Sequence, residues 1–294
     1  MPHYLEGIGF GVNRGFLRHQ SLLSTTPRNR SNYLINKSRY SCPSVSKMFR
    51  HIDDTKPVET SKGIFERVLL APEDTKHHNL TVKHFTLTNG ATVSFPDQDR
   101  EYQHYVVSGC ALMGGAYLHS ESAMFVPGNK SPHKISQAGE TELRLMTHIY
   151  KAPKPYFRWA KARTFHLYNA QYTSLRPAVI SQQLITEEQH AVSGAYRMHA
   201  IDVQTNAPMN ELGTHTNPEE TMYFLRGEGE VLSEGQRKKV RPGSFVYTPL
   251  DVEHNIYNTS QTIPLQYFVL EYIEHDKAWA ERGYNSPPLT HQKS

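Results

Sequence analysis

The sequence predicts an all-β protein built as two tandem, similar halves, and three observations carry that prediction. Short alternating segments recur from residue 80 onward at the spacing of a sandwich or barrel, with turn residues between them at Asn89-Gly90, Gly109, Gly114-Gly115 and Pro127-Gly128. A second run of the same kind follows the linker-like stretch KAPKP at 151–155. Landmarks then repeat. Gly109 ends a strand in the first run as Gly227 does in the second, and Pro127 and His133 echo Pro249 and His254 with one extra residue between them.

The first 50 residues have few features of a packed domain. Of 32 basic and 28 acidic residues in the chain, 8 and 1 lie here, which leaves 24 and 27, a net charge of −3, for the remainder. An Arg- and Ser-rich, acid-poor start has the composition of an organellar transit peptide, which would place the protein in a mitochondrion or another organelle. The alternatives are a disordered tail or an extension upstream of a true start at Met48, with a cytoplasmic protein in either case. Glu6 and Pro2 weigh against import, and the apolar stretch 8–16 is too broken by glycines, Asn13 and Arg14 for a secretory signal. The mildly acidic remainder has no basic surplus for phosphate neutralisation, so nucleic acid is not expected as a partner. No apolar run approaches the roughly 20 residues of a membrane helix, and two cysteines, Cys42 and Cys110, make no disulfide framework.

Residues 51–76 read as an entry arm in which 64–70 is either a strand or a helical turn. Strands are expected at 80–87, 91–95, 102–108, 111–117, 123–126 and 143–150, filling a first half at 51–152. Residues 153–190 read as an interdomain segment. Its aromatic and basic stretch 156–163 would pack between the halves, and its alternating stretch 179–184 would cover a sheet edge. The second half, 191–275, opens with a strand at 196–203 and closes with one at 266–272. A short helix from Asp276 to a stop at Gly283 and a frayed tail are expected at 276–294.

The chemistry concentrates in residues 213–258. His215 and Asn217 precede Glu220, a strand follows and stops at Gly227, and a second strand runs from Gly243 to a corner at Pro249, with His254 and Asn258 beyond it. Strand alternation puts Glu220, Met222 and Phe224 on one face and Thr221 and Tyr223 on the other. Two imidazoles and a carboxylate on neighbouring strands, with positions left open, suit one divalent transition metal: Fe, Mn, Ni or Zn. Met222, Phe224, Phe245 and Tyr247 are expected to wall the substrate side, and Tyr247 or Arg226 either orients a carboxylate or faces solvent. The first half has Tyr102 where the second has Glu220. Its His104 and His133 read as structural histidines or as polarity for a substrate.

The same stretch resembles the cupin family. The second cupin motif is Gly, five residues, Pro-X-Gly, two residues, His, three residues, Asn, and Gly243, Pro249, His254 and Asn258 meet it, with Asp251 in place of the inner Gly. In the first motif His215, Glu220 and Gly227 match, Asn217 stands where a second His is usual, and the interval to Glu220 is one residue short. The resemblance implies two tandem double-stranded β-helix (jelly-roll) barrels, a bicupin with a degenerate N-terminal barrel. The metal would be held by His215, Glu220 and His254, with Asn217 as a possible fourth ligand. It further implies a small polar molecule as substrate or ligand, an oxygenase- or hydrolase-type reaction, and a homodimer. The arrangement is similar to ureidoglycine aminohydrolases, although Gly213 replaces a Glu usual there. The alternative is a non-catalytic small-molecule-binding or structural cupin.

Overall fold

A computed structural model describes residues 49–75, 79–127, 132–151, 162–176, 178–185, 196–205, 215–216, 219–249 and 252–272. The expected transit peptide, the helix expected at 276–283, Asn217, most of the aromatic-basic stretch and the side chain of His215 lie outside the described residues.

Twenty-two strands are described. In chain order the first are β1 (Phe49–His51), β2 (Val58–Ser61), β3 (Ile64–Leu70), β4 (Leu80–Leu87), β5 (Thr92–Phe95), β6 (Glu101–Ser108), β7 (Cys110–Met113), β8 (Ala116–His119), β9 (Ser122–Val126), β10 (His133–Ala138) and β11 (Leu143–Tyr150). They are followed by β12 (Arg163–His166), β13 (Gln171–Arg176), β14 (Val179–Ile185), β15 (Tyr196–Val203), β16 (His215–Thr216) and β17 (Glu219–Arg226). The last are β18 (Gly229–Ser233), β19 (Gln236–Val240), β20 (Ser244–Thr248), β21 (Glu253–Asn258) and β22 (Leu265–Tyr272). The ambiguous stretch at 64–70 is therefore a strand, and it pairs along β4.

The strands form four sheets that repeat one plan. The first half has a seven-stranded sheet ordered β12-β9-β6-β11-β4-β3-β2 and a four-stranded sheet ordered β5-β10-β7-β8. The second has β1-β20-β17-β22-β15-β14-β13 and β16-β21-β18-β19. Position for position the orders match, and each long sheet ends in a strand that comes just before the other half in sequence. The segment expected to connect the halves is thus divided: β12 completes the first half's sheet, while β13 and β14 belong to the second's.

Three apolar layers hold the sheets together. Phe85, Phe95, Val106, Ile135 and Leu145 pack between the two sheets of the first half, and Met222, Phe224, Val231, Ile256 and Val269 do so in the second. The third layer lies between the two seven-stranded sheets and contains Leu70, Tyr105, Phe125, Tyr223, Phe245, Tyr247 and Phe268. Tyr105 and Phe268 meet across it with ring centroids 4.5 Å apart. Both faces of these long sheets are buried, so they contribute apolar surface to two cores at once.

Gly109 and Gly227 show how closely the plan repeats. Both have positive φ, 85° and 77°, and a Cβ there would meet a backbone carbonyl, that of Glu142 at 2.3 Å or Pro264 at 2.4 Å. Only glycine tolerates both the left-handed backbone and the close approach. Among the described residues no helix is long and apolar enough to cross a membrane.

Candidate functional site

Strand β17 carries the site because its register with both neighbours is fixed. Glu220 pairs with Thr248 of β20 and with Glu271 of β22, and Met222 two residues on pairs with Val246 and Val269. Directly paired residues share a face, and Met222, Val246 and Val269 lie in the core between the second half's two sheets. Glu220, Thr248 and Glu271 therefore form a polar rung above an apolar one, on the face turned toward the four-stranded sheet. From that sheet His254 joins them. The corner after Pro249, where the Val252 amide donates to the Pro249 carbonyl at 3.2 Å, delivers β21 and its histidine. His215 in β16 is the register partner of His254.

His254 and Glu220 touch. Nε2 of the ring lies 3.0 Å from Glu220 Oε2, His254 is fully buried and Glu220 nearly so. The other ring nitrogen, Nδ1, is 3.0 Å from the Val252 carbonyl, which can only accept, so Nδ1 carries a proton. A neutral ring would then aim its Nε2 lone pair at a carboxylate oxygen. Two states relieve that repulsion. Either Nε2 is also protonated and donates to Glu220, or a cation sits where both atoms can bind it. In the protein without metal, burial favours the neutral ring. The Glu220 hydrogen bond and charge, the Val252 carbonyl and the nearby Glu271 outweigh burial and raise the pKa of His254 above its ordinary value.

The donor set fits a divalent transition metal. Two ligands at right angles, each about 2.1 Å from one ion, stand about 3.0 Å apart, the separation of His254 Nε2 and Glu220 Oε2. A carbonyl that fixes the tautomer of a ligating histidine is a common supporting contact around metals. Thr248 adds to the fit: its Oγ1 is buried, has no hydrogen-bond partner among the described residues, and stands beside Glu220 on the same rung. Among the described residues no group of three or more His, Cys, Asp and Glu side chains is gathered to hold a metal. A third ligand would come from residues whose side chains are not described, such as His215 or Asn217.

Part of the expected substrate wall lies elsewhere. Met222 and Phe224 do face the core below the site. Phe245 and Tyr247 are displaced by one residue from that face, since they pair with Tyr223 and Thr221, and both pack in the layer between the two long sheets. The Tyr247 hydroxyl donates to Glu219 Oε1 at 2.6 Å. Tyr247 is thus no substrate clamp, and Arg226 is exposed. Asn258 secures the fold, donating to the Val203 and Ile263 carbonyls at 2.9 and 3.0 Å.

A protein-family model described as a cupin domain matches residues 200–271. Among solved structures, protein Ylba from E. coli superposes with a TM-score of 0.62 at 14% identity, covering 78% of this chain and 91% of that one. A putative glyoxylate-induced protein from Pseudomonas aeruginosa gives 0.62 at 12%, covering 76% and 86%. Oxalate decarboxylase from Bacillus subtilis gives 0.58 at 14%, covering 78% of each chain. The fold is bicupin-like. No curated protein matches the sequence.

Within this cupin fold the two halves can be compared rung by rung. His133 pairs with Phe95 in the first half as His254 pairs with His215 in the second. Tyr102 takes the place of Glu220 and His104 that of Met222, counted from Gly109 and Gly227. The sequence reading missed Thr248 and Glu271. Alternation along the closing strand marks Glu271 as facing the same way as Val269, and that was the signal available.

Proposed function

We propose that the second half is the metal-binding part of an enzyme acting on a small polar molecule, with His254, Glu220 and His215 as ligands and Asn217 as a possible fourth. The observation that carries this reading is the buried pair His254–Glu220, in which one ring nitrogen is held by a backbone carbonyl and the other faces a carboxylate at 3.0 Å. When bound, the metal would polarise a substrate carbonyl or lower the pKa of a bound water. Thr248 Oγ1 would hydrogen-bond substrate or water at the same rung. Glu271, partly exposed beside it, would take up or return a proton at the mouth. Met222 and Phe224 would close the floor against water.

Metal identity among Fe, Mn, Ni and Zn, and the choice between an oxygenase and a hydrolase, belong to the same proposal. Support for a metal comes from the Mn(II) centres named for the oxalate decarboxylase of similar fold. Support for a small polar substrate comes from oxalate and from the glyoxylate in the Pseudomonas protein's name. The unequal halves resemble the arrangement of ureidoglycine aminohydrolases, and a homodimer through sheet edges fits the family. A second reading rests on the same contact: a permanent imidazolium–carboxylate pair would make the site self-sufficient and the protein a non-catalytic binder.

Elemental analysis of the full chain, purified without chelators or a metal-binding tag, separates the two. We expect transition metal in the purified protein, with close to one ion per chain fewer in His254→Ala and a similar reduction in Glu220→Gln. A wild-type protein that is metal-free and refuses added Mn, Fe, Ni and Zn selects the non-catalytic reading.

A further inference from the structure

The first half holds a cluster that the proposed site does not use. His104 on β6 and His133 on β10 point their Nε2 atoms at each other at 2.8 Å. His104 is fully buried, and its Nδ1 is 2.9 Å from the hydroxyl of Thr147, also fully buried. Phe95 lies parallel to His133, 4.9 Å between centroids and 17° between planes, and Tyr102 packs edge-on at 5.0 Å. The rings are thus held in place from several sides.

We propose that this pair is a second cation site, one that takes a late first-row divalent ion such as Zn2+ on His104 Nε2 and His133 Nε2, with water or a small anion in the open positions. Two features argue for it. Two imidazole nitrogens converge on one point at close to the spacing of neighbouring ligands on one ion, about 3 Å; without an ion one of them donates to the other, and an ion would take the place of that proton. Thr147 orients His104 from behind, as outer partners of ligating histidines do. His133 is half-buried and offers a way in from solvent.

The site shares one position with that of the second half, His133 standing where His254 does, and differs at the others. At the rungs occupied there by His215 and Glu220, the first half has Phe95 and Tyr102. The burial of Tyr102 and the nearby Asp97 push its phenol up to about 12, so it remains protonated. His104 enters two residues further along the strand, at the place of Met222. Compared with the second half, the first lacks one imidazole and one carboxylate at these rungs and has an imidazole, His104, two residues further along the strand.

Calorimetric titration of the full-length, metal-stripped chain with Zn2+ tests this, together with 15N NMR of the imidazole nitrogens. His104→Met restores the residue used at the matching place in the second half and keeps the core apolar. We expect His104→Met and His133→Asn each to bind one Zn2+ fewer than wild type, and Zn2+ to shift the His133 Nε2 resonance in the wild-type protein. His254→Ala, or Glu220→Gln should that variant fold poorly, is expected to leave this site filled. If wild type binds one ion and His104→Met none, the inference stands while the reading of the second half falls. If His104→Met binds as many ions as wild type, or the His133 resonance does not respond, the inference is overturned.

Discussion

His148 in the first half and Thr221 in the second are joined across the layer between the two long sheets, with ring Nε2 2.9 Å from the hydroxyl oxygen. Both groups are buried, and His148 Nδ1 has no partner among the described residues. Thr221→Val would leave the second ring nitrogen unpaired as well. We expect a loss of about 1–3 kcal/mol in urea unfolding. The double variant His148→Leu/Thr221→Val should lose clearly less than the sum of the single changes, because it removes both polar partners together.

Acid should open the same layer. Burial, with Arg67 and Arg144 nearby, lowers the His84 pKa to about 4, and burial lowers that of His148 to about 3. Both folded values lie below the unfolded value near 6.5, so the unfolded chain takes up protons first. Stability is intact above about pH 6.5. It falls as pH drops toward those folded values, by up to about 1.4 kcal/mol per pH unit for each ring. Urea midpoints measured from pH 7.5 to 4.5 should decline, and His84→Phe should flatten the decline. In the metal-free protein His254 acts in the opposite direction. Its raised folded pKa gives stability that is present below the unfolded value and lost as pH rises through the folded one.

Metal binding should release a proton. In the metal-free protein Nε2 of His254 donates to Glu220, and a metal takes the place of that proton. Calorimetry of Mn2+ or Zn2+ binding in buffers of different ionisation enthalpy should report close to one proton released per ion at the second-half site below the His254 pKa. Affinity should rise with pH over the same range. His104→Met protein is the appropriate background, so that only one site is titrated.

Tyr247→Phe distinguishes the two faces of β20. Its hydroxyl binds Glu219 inside the layer between the sheets. The change should lower stability by about 1–2 kcal/mol and leave metal content and affinity as in wild type. A fall in metal affinity would return Tyr247 to the site.

The duplicated plan and the second-half landmarks were legible because glycines and prolines write local geometry directly. Gly227 needs its positive φ and close carbonyl, and Pro249 makes its corner, wherever the rest of the chain goes. The facing of Phe245 and Tyr247 was not legible. In β20 all five residues are buried, so the pattern of apolar inside and polar outside that reveals a strand's two faces is erased. Either face of such a strand reads as core, and only register with Thr221 and Tyr223 decides which. Glu271 was hidden for a related reason: its place beside Glu220 comes from a pairing between strands 51 residues apart, fixed by the sheet and not by any local motif.

Strand β1 pairs with β20, Phe49 opposite Val246, and is fastened there by the Ile52 amide on the Gly243 carbonyl at 3.1 Å and by His51 Nε2 on the Pro242 carbonyl at 2.9 Å. The earliest described strand to leave a ribosome therefore waits for one of the last. At about 5–20 residues per second, the 197 residues from Phe49 to Val246 take roughly 10–40 s to make. Through that interval the first half can assemble its own sheets while β1 hangs unmatched. The two halves are then secured to one another through β1 only after β20 has been made.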